Sequence, residues 1–271
     1  NYVIYLTSRM NQYKKIINEM ISLSFLAGEE IMELYNNKLK QEIKDDQSPV
    51  TEADLISDNL ICKGLEKKFP KIMCISEESY KKKDIVNVNS TFFLIDPLDG
   101  TKEFIKRNDE FTVNIALIID KKAKFGVIYA PAKKVMFYTN EEGKSFQLNI
   151  GSKEKKIKIE NSIEINVSRK KEKIISIMSR SHNNKNTDEY LKKYTVEKKI
   201  ICGSSLKFCL VANGTASIYP RLGPTREWDT AAGHAILNGA GGTVKKLNGD
   251  EFIYGKLDRD FLNPEFIATN F

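Results

Sequence analysis

Apolar residues at helical spacing alternate along the chain with short, continuous apolar runs. The first pattern predicts a long helix over 11–35, because apolar side chains recur every three or four residues. After a polar loop over 45–49, Thr51 and Asp54 have the spacing of a capping box and predict a second helix to about Lys67. Short apolar runs predict strands over 71–76, 91–96, 111–119, 124–129 and 135–139.

The pattern changes after a charged, irregular stretch over 153–172. Beyond it, strands predicted over 174–179, 196–202 and 216–219 alternate with helices over 188–194, 206–213 and 230–238. This alternation is typical of a layered α/β half, whereas the first half reads as α+β, with helices packed on a largely antiparallel sheet. We expect one α/β unit over 1–271, with subdomains over about 10–167 and 168–271.

Composition narrows the class of protein. Hydrophobic residues make up 41% and charged residues 29% of the 271, which excludes a disordered chain. No apolar run approaches the roughly 18 residues of a membrane-spanning helix, and the apolar start over 2–6 lacks the features of a signal peptide. Cys62, Cys74 and Cys209 lie in apolar patterns and are interpreted as buried thiols. We expect a cytoplasmic protein; peripheral association with the cytoplasmic face of the inner membrane stays open, as does the choice between monomer and homodimer.

The net charge of +7 and the pI near 9.0 raise nucleic-acid binding as an interpretation. The basic clusters at 81–83, 153–158 and 169–173 have no interleaved aromatic residues, which favours a solvated surface instead. We therefore expect no nucleic-acid partner, although a positive field attracts anionic substrates.

The densest chemical signal is the string D-P-L-D-G-T over 96–101, which follows an apolar run. Asp96 and Asp99, three residues apart across the bend, can point to the same side. Two clustered carboxylates repel each other unless a cation or a shared proton lies between them. With oxygen donors alone, the natural cation is Mg²⁺ or Mn²⁺. Taken in isolation, however, the string is more typical of an ordinary β-turn.

Other acidic residues have structural explanations of their own. Glu77 and Glu78 end the strand predicted over 71–76, where either a site or a solvated acidic loop can lie. Asp229 precedes the helix predicted from Thr230 and would be a good N-cap. It is the whole set of carboxylates, and no single one, that predicts a metal site.

Four motifs in this order resemble those of the inositol monophosphatase superfamily. They are S-P-V-T-E-A-D over 48–54, S-E-E over 76–78, D-P-L-D-G-T-K-E-F over 96–104 and W-D-T-A-A-G-H-A over 228–235. Lys102, Glu103 and the string G-S-S-L-K over 203–207 resemble the 3′(2′),5′-bisphosphate nucleotidases, especially the bacterial CysQ type. The resemblance implies a layered αβαβα sandwich of the inositol monophosphatase and fructose-1,6-bisphosphatase type. Asp109, where a glycine is expected, and the charged pair Arg226 and Glu227 depart from the pattern.

The resemblance further implies a site for two or three Mg²⁺ ions, with Mn²⁺ as a substitute. The ligands would be Glu77, Asp96 and the main-chain carbonyl of Leu98 for the first ion, and Asp96, Asp99 and Asp229 for the second. Glu77 would also help to hold a third, weakly bound ion, with Glu78 in a supporting role. Displacement of a weakly held ion by Li⁺ would make the enzyme lithium-sensitive.

Catalytic and substrate-binding residues are implied in the same way. Asp54 would hydrogen-bond Thr101, and the pair would orient and deprotonate the attacking water. The substrate would contact Glu77, Leu98, Asp99, Gly100, Thr101 and Asp229 around the reacting phosphate, and Ser179, His182, Ser204, Lys207 and Arg221 around the nucleotide. Lys207 and Arg221 suit a second phosphate, while His182 has an equally plain interpretation as a surface loop residue.

The implied function is Mg²⁺-dependent hydrolysis of the 3′-phosphate of adenosine 3′,5′-bisphosphate to AMP, which clears a nucleotide by-product in sulfur metabolism. An inositol-phosphate or other sugar-phosphate phosphatase on the same fold is the nearest alternative, and Lys102, Glu103 and the S-S-L-K string disfavour it. A non-catalytic nucleotide- or RNA-binding protein is the alternative from another class. Such a binder needs no water-activating set of residues.

Overall fold

The chain forms helices and two main β-sheets stacked in layers. A computed structural model describes residues 2–36, 41–43, 49–80, 85–151, 154, 156–168, 174–181 and 184–271. The helices are α1 Tyr2–Tyr35, α2 Glu52–Lys68, α3 Thr101–Ile105, α4 Lys185–Leu191, α5 Leu206–Ala212 and α6 Glu227–Gly239. The strands are β1 Gln41–Ile43, β2 Pro49–Thr51, β3 Met73–Ser76, β4 Thr91–Asp99, β5 Thr112–Ile119, β6 Lys122–Ala130, β7 Val135–Thr139, β8 Ser145–Asn149, β9 Ile163–Glu164, β10 Ile174–Ser179, β11 Val196–Cys202, β12 Ile218–Arg221, β13 Thr243–Lys246 and β14 Phe266–Thr269. None of the helices in the described ranges is both long and apolar enough to cross a membrane.

Helices and sheets alternate through the molecule. The first sheet has the order β3-β4-β5-β6-β7-β8-β9 and is antiparallel except for the parallel pair β3 and β4. The second has the order β11-β10-β12-β14-β13, in which β10 runs parallel to both neighbours. Helices α1 and α2 cover one face of the first sheet, α5 and α6 lie between the sheets, and α4 packs on the far side of β12. This confirms the α/β class and the αβαβα sandwich.

Strand β4 is buried on both faces, which explains its continuous apolar run. Phe93 and Ile95 pack into the core beneath α1 and α2. Phe92 and Leu94 point the opposite way, into the core that β4 shares with α6 and the second sheet. Because α6 contacts strands of both sheets, the division into subdomains over 10–167 and 168–271 stays a prediction.

Most predicted elements are present, with shifted ends, but several short ones were missed. Helix α1 begins at Tyr2 instead of Asn11, and α4 begins at Lys185, where Asn184 is the N-cap and accepts from the Thr187 N–H at 2.9 Å. The prediction missed α3, β1, β2, β8, β9, β13 and β14. These elements are at most five residues long, and both residues of β9 are exposed, so the apolar periodicity is too weak to mark them. The predicted loop residues 45–48 lie outside the described ranges, and Pro49 begins β2.

Residues that depart from the family pattern have local explanations. Asp109 adopts a left-handed backbone conformation with φ of 63°, which explains why glycine suits this position, and it accepts a hydrogen bond from the Tyr35 hydroxyl at 2.9 Å. Glu227 is fully buried and pairs with the Lys256 ammonium at 2.6 Å. Arg226 pairs with Asp260 at 2.8 Å. The four cysteines are buried free thiols, as expected for three of them.

Candidate active site

The carboxylates predicted from sequence lie where three separate segments meet. Strands β3 and β4 are parallel neighbours, and the Glu77 N–H donates to the Ile95 carbonyl at 3.1 Å, which continues their ladder. Glu77 and Asp96 are therefore at the same edge of the sheet. Asp229 lies in the first turn of α6, which packs across β4, β5 and β6.

A β-bulge in β4 directs Asp96 and Asp99 to the same face. Asp96 lies opposite Asn114 and Asp99 lies opposite Thr112, so β4 has one more residue than β5 between these two pairs. Opposed residues of an antiparallel pair share a face, and so do residues two apart on a strand. In a regular strand, residues three apart would point to opposite faces, so the bulge is what brings the two aspartates to one face.

Glu77, Asp96 and Asp229 form a group that could hold a metal ion. Each offers one carboxylate oxygen, and these oxygens lie within 4.8 Å of one another. Burial raises the pKa of Asp229 well above its ordinary value, and repulsion from Asp99 and Glu77 raises it further. An all-oxygen, multiply charged donor set fits a hard divalent cation, which would relieve this repulsion. The described residues therefore fit the metal that the resemblance implies.

Asp99 lines the same pocket but lies outside this group of three. Burial raises its pKa, while the charge of Lys207 and hydrogen bonds from Ser205 and Asn114 oppose that shift. Its Oδ2 accepts from the Ser205 hydroxyl at 2.6 Å and from the Asn114 amide at 3.2 Å. Two hydrogen-bond donors therefore hold the Asp99 carboxylate beside Glu77, Asp96 and Asp229.

The two carboxylate oxygens of Asp54 have different partners, one in the cap of α2 and one at the pocket. Its Oδ2 accepts from the Thr51 N–H at 2.7 Å and the Thr51 hydroxyl at 2.6 Å, which is the predicted capping box at the start of α2. Its Oδ1 accepts from the Thr101 hydroxyl at 3.2 Å. Gly100 makes the turn into α3 with φ of 92°, and a Cβ there would lie 3.0 Å from the Glu110 carbonyl oxygen. The cap of α2 therefore holds Asp54, and the turn at Gly100 places Thr101 within hydrogen-bonding distance of it.

Most of the predicted substrate-binding residues line one pocket of about 220 Å³. Those that line it are Glu77, Leu98, Asp99, Gly100, Thr101, Ser179, Ser204, Lys207, Arg221 and Asp229. His182 lies outside the described residues. Asp54 and Glu78 are not in the pocket lining, and Asp54 reaches it through Thr101.

Two buried cations lie on the wall of the pocket. The Lys207 ammonium donates to the carbonyl oxygens of Cys202 and Ser204 and lies over the Tyr219 ring, 5.4 Å from its centroid. The Arg221 guanidinium donates to the Pro224 carbonyl at 2.8 Å. Both side chains are at most 7% exposed, so their charges act in a poorly solvated environment next to the carboxylates.

The interpretation of Asp229 as an N-cap was wrong. Helix α6 begins at Glu227 with Arg226 as its N-cap residue, and Asp229 Oδ2 accepts from the Arg226 N–H at 2.8 Å. Apolar periodicity marks the helix only from Trp228 onward, because Glu227 is a charged residue that pairing with Lys256 buries, and Arg226 is a half-exposed charged residue. The carboxylate therefore belongs to the first helical turn, where one oxygen satisfies a backbone donor.

Sequence reasoning missed several residues that hold the pocket together. The Glu110 carboxylate accepts from Arg180 at 2.8 and 3.0 Å and from the Gly203 N–H at 2.8 Å. Ser181 donates to Glu103, which lies in the pocket wall. These partners are far apart along the chain, so no local spacing reveals them. Lys102 and Glu103 were used in the sequence analysis only as a resemblance to the bisphosphate nucleotidases, and no role was predicted for Glu103.

Comparison with known proteins places the chain among relatives that cover nearly its whole length. Residues 12–270 match the inositol monophosphatase family. The 3′(2′),5′-bisphosphate nucleotidase CysQ of Salmonella typhimurium is 42% identical, and the match covers 94% of this chain and 99% of that protein. CysQ of Buchnera aphidicola is 41% identical, with 96% and 95% covered. The crystal structure of CysQ from Bacteroides thetaiotaomicron, described as a bacterial member of this family, has a TM-score of 0.80 at 36% identity, covering 96% of this chain and 98% of that one.

Proposed function

Because the chain belongs to the inositol monophosphatase family, we propose that it hydrolyses the 3′-phosphate of adenosine 3′,5′-bisphosphate to give AMP and phosphate. The family resemblance predicted from the motifs is confirmed. The observation that carries the proposal is the group of Glu77, Asp96 and Asp229 in the pocket whose wall holds two buried cations. The relatives named above are bisphosphate nucleotidases, which are phosphatases.

Two or three Mg²⁺ ions are the proposed cofactor, with Mn²⁺ as a substitute. Glu77, Asp96, Asp229 and the Leu98 carbonyl would hold them together with Asp99, all through oxygen. When bound, the ions would supply positive charge to the phosphate oxygens and make water easier to deprotonate.

Asp54 and Thr101 are the proposed pair that prepares the attacking water. The Thr101 hydroxyl lies 3.2 Å from Asp54 Oδ1 and 3.3 Å from the Leu98 carbonyl oxygen, and when it donates its one proton to Asp54 its lone pairs can accept from a water. A proton leaving that water passes through the hydroxyl to Asp54, whose other oxygen stays fixed in the helix cap. The cap therefore keeps the base in place while its free oxygen works.

Lys207 and Arg221 are the proposed binding site for the second phosphate. Hydrogen bonds to main-chain carbonyls orient both side chains, and both keep their positive charge. A nucleotide with phosphates on two positions could place one phosphate at the metal site of the carboxylates and the other beside the two cations. An inositol monophosphate has no second phosphate to place beside Lys207 and Arg221, which disfavours the inositol-phosphate alternative. Ser179, Ser204 and His182 are proposed to complete the nucleotide contacts.

The cellular role that we propose is cytoplasmic clearance of adenosine 3′,5′-bisphosphate formed in sulfur metabolism. The non-catalytic nucleotide- or RNA-binding alternative is disfavoured, because binding alone needs neither the Asp54–Thr101 pair nor the three clustered carboxylates.

The experiment that tests the function measures phosphate release from adenosine 3′,5′-bisphosphate and from inositol 1-phosphate in parallel, each with and without Mg²⁺. We expect Mg²⁺-dependent release with a clear preference for the nucleotide, and a lower rate when Li⁺ is added. A preference for inositol 1-phosphate would keep the metal site and overturn the roles of Lys207 and Arg221. Binding of the nucleotide without any release would support the binding-protein alternative.

A further inference from the structure

Asn114 and Ser205 surround one oxygen of Asp99. The Asn114 amide nitrogen lies 3.2 Å from Asp99 Oδ2 and 2.8 Å from the Ser205 hydroxyl, and that hydroxyl lies 2.6 Å from the same Oδ2. The Ser205 hydroxyl also lies 2.8 Å from the Asp229 carbonyl oxygen. Three elements, β4, β5 and the start of α5, therefore meet at one carboxylate oxygen.

The hydrogens in this triangle can be assigned by counting donors. The Asn114 amide has two hydrogens, one for Asp99 Oδ2 and one for the Ser205 oxygen. The Ser205 hydroxyl then accepts from Asn114 and has one proton to donate, either to Asp99 Oδ2 or to the Asp229 carbonyl. The amide oxygen of Asn114 is buried with no hydrogen-bond partner in the part of the chain that the structure describes. The donors of Asn114, and not its acceptor, therefore account for the position of this side chain.

Ser205 occupies a position at which a serine normally serves its own helix. It is the N-cap residue of α5, where a hydroxyl usually accepts from a free N–H of the first turn. Here the side chain makes no capping hydrogen bond and is directed to Asp99 instead. Asn114 is similarly out of place, because it is a buried amide in the middle of the apolar strand β5. Ser205 therefore makes no capping bond to α5, and Asn114 places a buried amide in an apolar strand.

We propose that Ser205 and Asn114 are positioning residues that fix Asp99 as a one-oxygen ligand for the cation. Oδ2 is occupied by their donors, so Oδ1 is the oxygen that is left for a metal ion. Outer hydrogen bonds of this kind orient a ligating carboxylate and raise metal affinity. This inference rests on the proposed metal-dependent function. It adds residues to the site that the motif-based assignment, which gave a role to Ser204 but none to Ser205, did not include.

The test measures the dissociation constant of Mg²⁺ by isothermal titration calorimetry for the wild type, Ser205→Ala and Ser205→Thr. Loss of the hydroxyl is expected to weaken Mg²⁺ binding by about 10- to 100-fold, and threonine, which keeps the hydroxyl, is expected to restore most of it. The Mg²⁺ concentration for half-maximal phosphate release should rise by a similar factor. The KM for the nucleotide, measured at saturating Mg²⁺, should change much less.

Ser145→Ala is the matched control. Ser145 is also a buried serine, and its hydroxyl donates at 2.6 Å to the Ile236 carbonyl. Ile236 lies in α6, as Asp229 does, but about two turns away from the carboxylates. Its Mg²⁺ affinity is expected to equal that of the wild type, which separates a metal effect from a general loss of packing. If Ser205→Ala does not fold, Asn114→Ala makes the same test from β5.

The outcomes separate the inference from the function on which it rests. Wild-type protein that binds Mg²⁺ and hydrolyses the nucleotide, with a Ser205→Ala variant of unchanged Mg²⁺ affinity, overturns the positioning role alone. Absence of Mg²⁺ binding by the wild type overturns both. Weaker binding in Ser205→Ala and not in Ser145→Ala supports the inference whatever the substrate is.

Discussion

At the scale of single residues, Asp99 combines a half-buried position with donors that favour its charged form. We expect Asp99→Asn to lower turnover at saturating Mg²⁺ by at least about 100-fold, because a neutral amide cannot replace a charged ligand. The metal-free protein should melt at the same or a slightly higher temperature, since Asp99 repels Asp229. Rates and melting curves in EDTA check this, with the exposed Asp258→Asn as control. Substantial residual turnover in Asp99→Asn would remove Asp99 from the site.

His234, whose side chain is buried in α6 and hydrogen-bonds the Tyr254 hydroxyl at 3.0 Å, makes stability depend on pH. Burial lowers its pKa from 6.5 to about 4, so between these values the unfolded chain binds a proton that the folded chain excludes. The free energy of unfolding should therefore fall as pH drops from 6.5 to 4, by up to about 3 kcal/mol.

Urea unfolding of the wild type and His234→Gln across this pH range measures that contribution. The variant lacks the buried imidazole, so its stability should fall less steeply below pH 6.5 than that of the wild type. Parallel pH curves for the two proteins would show that His234 does not carry the effect.

At the scale of elements, the start of α6 depends on a buried ion pair with the segment that follows β13. Glu227 accepts from the N–H groups of Gly255 and Lys256 at 2.6 and 2.9 Å, and the Lys256 ammonium lies 2.6 Å from its carboxylate. Lys256→Met would leave the buried carboxylate with its two N–H donors but without a positive charge, and should cost about 3 kcal/mol of unfolding free energy. Lys122→Met removes a similar pair, with Glu251 at 2.7 Å, in which both side chains are more than 60% exposed. That control should unfold like the wild type; equal losses in both variants would contradict the argument.

Element positions were predictable from sequence where a local signal exists. The Thr51–Asp54 capping box gave the start of α2 correctly, because both partners lie within one helical turn. The start of α6 was missed, because Glu227 is buried by a lysine that comes 29 residues later and has no local signature. The β4 bulge was not predicted: the sequence indicated a strand to Asp96 and then a bend, whereas β4 continues to Asp99 with a register that depends on pairing with β5.

At the scale of the whole molecule, the pocket lies where the two sheets approach each other through α5 and α6. The motifs predicted the family and the sandwich, and three of the carboxylates that they assigned to a metal site lie together. They could not predict the contact of Asn114 with Ser205, which joins the first sheet to the start of α5 across 91 residues of chain. Contacts of this range follow from layer packing, which the sequence pattern determines only after the topology is known.

The central claim is that the 3′-phosphate of a bisphosphate nucleotide would bind at the metal site formed by Glu77, Asp96 and Asp229, while Lys207 and Arg221 would hold the other phosphate. The most direct measurement uses chromatography to identify the nucleotide product formed from adenosine 3′,5′-bisphosphate, with Mg²⁺ and with EDTA. The account predicts AMP and an equal amount of phosphate with Mg²⁺, and unchanged substrate with EDTA. Formation of adenosine 3′-phosphate, or equal product in EDTA, would contradict it.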